Sequence, residues 1–427
     1  MKNRYDKYKD SGIAWIGEIP EHWELRKGKN LFKLRNSKGN NNAILLAATQ
    51  KYGMIPQSQV EGVVQVKQNT DLNTFKTVHK NDYVISLRSF QGGFEMSEYE
   101  GVCSPAYQVF YSTKPCCNYF FKYMFKSYGF VSQINAFTLG IREGKNIQYE
   151  DFSLMKLPLP TIQEQQSIAT YLDQKCSEID ELITLQEGMI TKLQSYKQSV
   201  ITETVTKGLN KNVPLKDSGI EWIGEIPEHW ICTVFKKFLS EPMQYGANEP
   251  AEECNYNDPR YIRITDIKDD GTLRDDTFKS LPLEKAKEYM LTKGDLLFAR
   301  SGATVGKTFL YKEDYAACFA GYLIKARCNK NELLPNFIFY YTLSNAYQNW
   351  KNSIFIQSTI QNIGADKYSV MPIIAPPLSE QQSIANYLDQ KCSEIDELIS
   401  IKQQKIEKLK DYKKSLIFEC VTGKRKV

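Results

Sequence analysis

The sequence is poor in residues that carry the commonest chemistries. It holds three histidines, His22, His79 and His229, and two of them occupy equivalent places in a repeated phrase, which favours a packing role over proton transfer or metal ligation. Ten cysteines include no Cys-x-x-Cys pair, and Cys116 and Cys117 are adjacent, a pattern of reduced thiols rather than of a disulfide framework or a zinc site. No metal and no cofactor are therefore expected. No apolar run approaches the roughly 18 residues that span a bilayer, and the opening MKNRYDKYKD has no hydrophobic core of a signal peptide, so a cytoplasmic chain with no membrane partner is expected. Charge of one sign is scarce too. A formal net charge of +5 permits contact with nucleic acid without demanding it, and the basic run VTGKRKV reads as a solvated tail.

What the sequence has in abundance is itself. KDSGIAWIGEIPEHWE at 9–24 returns as KDSGIEWIGEIPEHWI at 216–231, and QEQQSIATYLDQKCSEIDELI at 163–183 returns as SEQQSIANYLDQKCSEIDELI at 379–399. The offset grows from 207 to 216 between the two phrases, so the second half carries nine more residues between them. A period this long is no solenoid; it implies duplicated domains, which a 49.2 kDa chain with 42% hydrophobic residues is long enough to bury. The apolar Trp15, Ile16, Ile19 and Trp23 of the first phrase are expected to pack each insert against a helical framework.

The second phrase opens a long helix in each half. It follows LPLPT or APPLS, where proline disfavours helix in the residue before it, and Thr161-x-x-Glu164 or Ser379-x-x-Gln382 can form a capping box. It stops near Gly208 and Gly423. Between these limits, alternating steps of four and three pick out Leu172, Cys176, Ile179, Ile183, Ile190, Leu193 and Val200, matched by Leu388, Cys392, Ile395, Ile399, Ile406, Leu409 and Leu416. Such a seam means packing against a partner helix, and two copies in one chain can pair with each other.

The intervening stretches mix short β-like runs (DYVISL, YQVFYS, RYIRIT, DLLFAR, YLIKAR) with polar loops and many aromatics, and each reads as a compact α+β domain. Asp82 and Arg88 flank a strand as Asp295 and Arg300 do, and Cys103-x-x-x-Tyr107 parallels Cys318-x-x-x-Tyr322. The run SGATVGKT at 301–308 is a near miss to a phosphate-binding loop. Three residues lie between its glycines, Gly302 and Gly306, where a phosphate-binding loop has four, and TFLYKEDY reads as strand and turn, so nucleotide hydrolysis is disfavoured. No Gly-rich methyl-donor loop, Asn-Pro-Pro-aromatic tetrad or nuclease carboxylate cluster is recognisable, so a non-catalytic chain is expected. A coiled-coil scaffold that holds protein partners without reading DNA is one alternative, and a P-loop nucleotide hydrolase a less favoured one.

The paired SGI-x-WIGEIPEHW phrases, the prolines before EQQSIA-x-YLDQKCSEID and the VTKG and VTGK exits resemble the specificity subunits of prokaryotic type I restriction-modification systems. VISLRSFQGGF at 84–94 and GDLLFARSGATVGK at 294–307 also look like elements of that family's target recognition domains. The resemblance implies an α+β chain with an internal pseudo-twofold repeat. Target recognition domains at 1–157 and 210–373 would be separated by helical spacers at 158–209 and 374–427, paired as an antiparallel coiled coil. It further implies double-stranded DNA as ligand, read as two half-sites, with two methyltransferase subunits and endonuclease/translocase subunits as partners. Base readout and phosphate contact favour polar and basic loop residues. The expected contacts are Arg88, Ser89, Gln91, Arg142 and Lys145 in the first domain, and Arg300, Ser301, Thr304, Lys307, Gln357, Thr359 and Gln361 in the second.

Overall fold

The computed structural model describes residues 4–39, 41–50, 52–60, 70–86, 93–139, 147–251, 255–268, 271–302, 304–356 and 361–427. The chain divides into two compact units, Met1–Glu187 with Gln404–Val427, and Gly188–Gln403. Two long helices, α2 (Ile162–Lys207) and α5 (Leu378–Val421), contribute to both, so each unit holds the start of one helix and the end of the other. Among the described residues no helix is long and apolar enough to cross a membrane.

The first unit is built on an antiparallel sheet of β1 (Phe32–Arg35), β2 (Tyr83–Ile85), β3 (Phe94–Met96) and β4 (Gln108–Ser112), in the order β1-β4-β2-β3, followed by α1 (Asn118–Lys126). The second repeats the arrangement. Its sheet of β5 (Gln244–Tyr245), β6 (Leu296–Ala299), β7 (Thr308–Leu310) and β8 (Leu323–Ala326), in the order β5-β8-β6-β7, precedes α3 (Pro335–Leu343) and α4 (Asn345–Ile356). The β-like runs DYVISL, YQVFYS, DLLFAR and YLIKAR thus contain β2, β4, β6 and β8, RYIRIT opens with a further strand at Arg260–Ile262, and the residues after Lys307 form β7 where a phosphate-binding loop needs a helix.

The central strands lack the apolar-polar alternation of a half-exposed sheet because both faces are covered. Leu296 and Phe298 of β6 enter one core cluster while Leu297 and Ala299 enter another. Tyr83 and Ile85 of β2 separate from Val84 in the same manner. Immediately before each strand sits a carboxylate that is almost wholly buried. Asp82 accepts the His79 N–H at 2.8 Å and a two-point contact from Arg35 at 2.6 and 2.9 Å; Asp295 accepts the Thr292 N–H at 2.8 Å and Arg327 at 2.7 and 2.8 Å. Such planar pairing satisfies a charge that burial would otherwise penalise.

The repeated phrases explain themselves at the helix ends. In the first unit Trp23 is fully buried, its indole N–H donates to Glu164 at the start of α2 (3.2 Å), and His22 meets the same carboxylate at 2.9 Å. In the second, Trp230 and His229 meet Glu380 of α5 at 3.0 and 2.7 Å. Each indole also closes on the end of the other long helix. A Cβ on Gly423 would stand 3.2 Å from the Trp23 ring, and one on Gly208 would stand 3.0 Å from Trp230; both glycines have φ near +75° (74° and 75°), where a helix terminates with least strain. Further duplicated contacts fasten each insert to its helix. Gln165 accepts the Cys117 N–H and Gln381 the Leu334 N–H, while Tyr123 donates to Asp173 and Tyr340 to Asp389, both at 2.6 Å.

The apolar seam lies inward. Leu172, Ile179, Leu388, Ile395 and Ile406 are buried, and Ile183, Ile190, Leu193, Ile399 and Leu409 are half-buried. In the first unit Lys413 grips both oxygens of Asp180 (2.7 and 2.6 Å) and Arg425 donates to Tyr171, so numbering falls along one helix as it rises along the other. In the second unit Lys197 grips Asp396 at 2.7 and 2.6 Å, and Lys402 meets the Met189 sulfur. The capping box of Thr161 and Glu164 forms, with N–H contacts of 3.1 and 3.3 Å. The one expected at Ser379 and Gln382 does not. Pro376-Pro377 starts α5 early, the Pro377 carbonyl accepts the Glu380 and Gln381 N–H groups, and the Gln382 amide turns to Asn386.

Replacing either buried indole should therefore unsettle one unit. Trp23→Ala or Trp230→Ala is expected to lower unfolding stability by about 3–5 kcal/mol in urea denaturation. A loss below about 1 kcal/mol would show that the duplicated tryptophans do not hold the helix ends.

Candidate nucleic-acid interface

At the end of β6 the backbone of Arg300 is held on both sides: its N–H donates to the Tyr322 carbonyl at 3.0 Å and its own carbonyl accepts the Ile363 N–H at 2.8 Å. The guanidinium lies 4.8 Å from the centre of the Tyr245 ring, and its Nε is buried with no hydrogen-bond partner among the described residues. Ser301 bridges to Asn362, which places exposed Gln361 beside it. Tyr322 is 65% exposed and Tyr245 41%. A cationic, amide- and hydroxyl-bearing edge flanked by two open aromatic rings is suited to base edges and sugar-phosphate, because it presents donors, acceptors and stacking faces together.

Of the residues singled out in the sequence, Arg300, Ser301 and Gln361 come together at this edge. Thr304 and Lys307 lie farther round the same turn and line a separate cleft, where the Lys307 ammonium donates to the Ile267 carbonyl at 3.0 Å. Arg88, Ser89, Gln91, Arg142, Lys145, Gln357 and Thr359 fall outside the described residues. Tyr245 and Asn362 join this edge without having been singled out in the sequence. Tyr245 belongs to a two-residue strand too short to show a pattern, and Asn362 takes its place only through the bridge to Ser301.

The scarce histidines and the cysteines are spoken for. His22 and His229 serve Glu164 and Glu380, and the described cysteines are free thiols, with burial pushing Cys103 and Cys318 up to about 12, far from a reactive thiolate. Among the described residues no group of three or more His, Cys, Asp or Glu side chains is placed to hold a metal ion.

The first unit has a cleft of about 1030 Å³ between α1 and the long helices, lined by Glu95, Lys122, Lys126, Asp180 and Glu181 among others. Glu95 contacts Lys126 through one oxygen; the other is buried with no partner among the described residues. Burial lifts its carboxyl to about 7 against the opposing pull of Lys126.

Comparison with known proteins gives a consistent result. The family model described as the type I restriction modification DNA specificity domain matches twice, at residues 20–194 and 244–411. The putative type I restriction enzyme MjaX specificity subunit of Methanocaldococcus jannaschii is 25% identical over 441 residues, covering 96% of both chains. The MjaVIII specificity subunit of the same organism is 27% identical over 67% of this chain, and the EcoBI specificity subunit of Escherichia coli 23% over 69%; the matches span 66% and 63% of those relatives' own lengths. Among solved structures, a chain from a study of complex assembly and conformational transition in a type I R-M system aligns with a TM-score of 0.72 at 16% identity, covering 94% of this chain and 98% of that one. The HsdS subunit from Thermoanaerobacter tengcongensis aligns with a TM-score of 0.55 at 16% identity, covering 95% and 98%. At these identities the structural likenesses establish a shared fold.

The raised carboxyl of Glu95 sets a pH dependence. Folding favours its protonated form, so the contribution is complete below the ordinary value of 4.5 and is lost as pH rises through about 7. Urea midpoints measured from pH 5 to 8 are expected to fall across this window in the wild type and to flatten in Glu95→Gln; parallel curves would contradict the assignment.

Proposed function

Because the chain belongs to the type I restriction-modification DNA specificity family, we propose that each compact unit reads one half of a bipartite, asymmetric DNA site. The long helices pair as an antiparallel coiled coil that spaces the two readers and docks two methyltransferase subunits, with endonuclease/translocase subunits joining the assembly. The chain itself is non-catalytic and works in the cytoplasm; methyl transfer and ATP-driven cleavage belong to the partners.

The observation that carries this reading is the contrast between duplicated and divergent residues. Those that fasten each insert to its helix (Trp23/Trp230, Glu164/Glu380, Gln165/Gln381, Asp173/Asp389) are the same in both halves, while the inserts differ. A rigid frame with unlike readers suits an asymmetric sequence, since only half-sites at the matching distance and helical phase engage both. Helices of 46 and 44 residues, at 1.5 Å per residue, run about 66–69 Å. That is nearly two turns of B-DNA at about 34 Å each.

Docking of two like partners is supported by a second set of equivalent positions, apolar in both halves. Leu182 and Leu398 are 44% and 47% exposed, and Leu185 and Ile401 are both 53% exposed, with Glu181 and Glu397 beside them. Packing within either unit does not require apolar residues there, and two identical partners would each need the same grip.

Methylation mapping of host DNA with and without this chain tests the reading. A two-part motif modified on both strands should vanish on deletion, and persistence of every methylated motif would refute it. Within the second reader, Arg300→Ala is expected to weaken binding of the assembled complex by roughly 1–3 kcal/mol and to relax preference at one base pair, measured by titration at fixed salt. Unchanged affinity would remove Arg300 from the reading edge.

A further inference from the structure

The turn that begins at Arg300 has a second side. Thr304, Gly306 and Lys307 face Gln348 and Lys351 of α4, Phe339 and Leu343 of α3, and Lys197 of α2, enclosing a cleft of about 380 Å³. Two of its lysines are engaged: Lys197 holds both oxygens of Asp396, and Lys307 donates to the Ile267 carbonyl. Lys351 differs. Among the described residues nothing compensates its charge, and burial draws its ammonium below the ordinary lysine range. No carboxylate is found among the described residues that line the cleft.

Its position is also built. The Lys351 stem crosses Gly306 so closely that a Cβ there would collide with its Cδ; Gly306 has φ +83°, a conformation that suits glycine. Gln348 lies three residues before Lys351 and therefore on the same face of α4, and the Gly306 carbonyl accepts the Tyr347 hydroxyl at 2.7 Å, tying turn to helix. A half-buried ammonium without a counter-charge is unfavourable until an anion approaches, and lysine, glutamine and threonine together are a donor set for phosphate oxygens.

We infer that Lys351, with Gln348 and Thr304, takes a phosphate group of the DNA backbone, and so registers the Arg300 edge on the duplex. This inference rests on the DNA-reading function proposed above. The free phosphate of a nucleotide shares the same chemistry. The strand that follows Lys307 deprives the cleft of the helix N-terminus on which a phosphate-binding loop relies, which favours the backbone as source. The contact is sequence-independent: it adds to affinity and orientation, while discrimination stays with the neighbouring edge.

The test uses the chain assembled with its methyltransferase subunits and two duplexes, one carrying the methylated motif and one with that motif scrambled, titrated over a series of salt concentrations. Lys351→Gln is expected to weaken both complexes several-fold by the same factor and to reduce the slope of log affinity against log salt by about 0.9, while Lys351→Arg restores both. An unchanged slope and affinity in Lys351→Gln, with an unaltered thermal midpoint, would overturn the inference. So would loss of ATP binding in that variant with the DNA slope intact, which would assign the cleft to a free nucleotide. If the wild-type complex fails to discriminate the two duplexes, the DNA-reading function falls, and the slope of the variant still decides whether Lys351 meets the backbone.

Discussion

The structure depends on one duplicated contact: an indole seated between the beginning of one long helix and the terminal glycine of the other. Trp23 joins Glu164 to Gly423, and Trp230 joins Glu380 to Gly208. A single side chain cannot fill both places unless the carboxylate accepts its N–H and the glycine leaves room for its ring. Three residue types widely separated in sequence are thereby constrained together. Everything between the phrases is freer, since any insert that returns its ends to the same pair of helix termini satisfies the frame.

The inserts show that freedom. Both place a buried aspartate ahead of the central strand, and both neutralise it with a two-point arginine, yet Arg35 comes from the edge strand β1 and Arg327 from just beyond β8. The carboxylate is the fixed requirement, because it caps the preceding turn as well as meeting the cation. The source of the guanidinium can vary. Two domains of one topology can therefore diverge at their loop-bearing ends while keeping an equally satisfied interior.

Much of this was legible in the sequence because it is written as period and repetition. The seam from Leu172 to Leu416 follows helical steps, and the strands around Val84 and Leu297 appear as short apolar runs. Contacts made across long separations leave no such trace. Nothing local marks Glu164 as the shared acceptor for His22 and Trp23, or indicates that each unit is completed by the other half's helix. Ser379 resembled a cap because its spacing to Gln382 is right, but the proline pair before it had already started the helix. Of the candidate contacts, Arg300 was visible from its place after a strand, whereas nothing local marks Lys351 on its helix, and only the fold brings it against Gly306.

The discontinuous make-up of the first unit bears on how the chain is made. Its sheet, α1 and the start of α2 leave the ribosome early, but the cavity around Trp23 is closed by the segment 404–427, synthesised after the whole second unit. During that interval the second unit, contiguous from 188 to 403, can complete itself, while the first waits with an aromatic face uncovered. Vectorial synthesis thus reverses the order of maturation: the unit translated first is the one finished last.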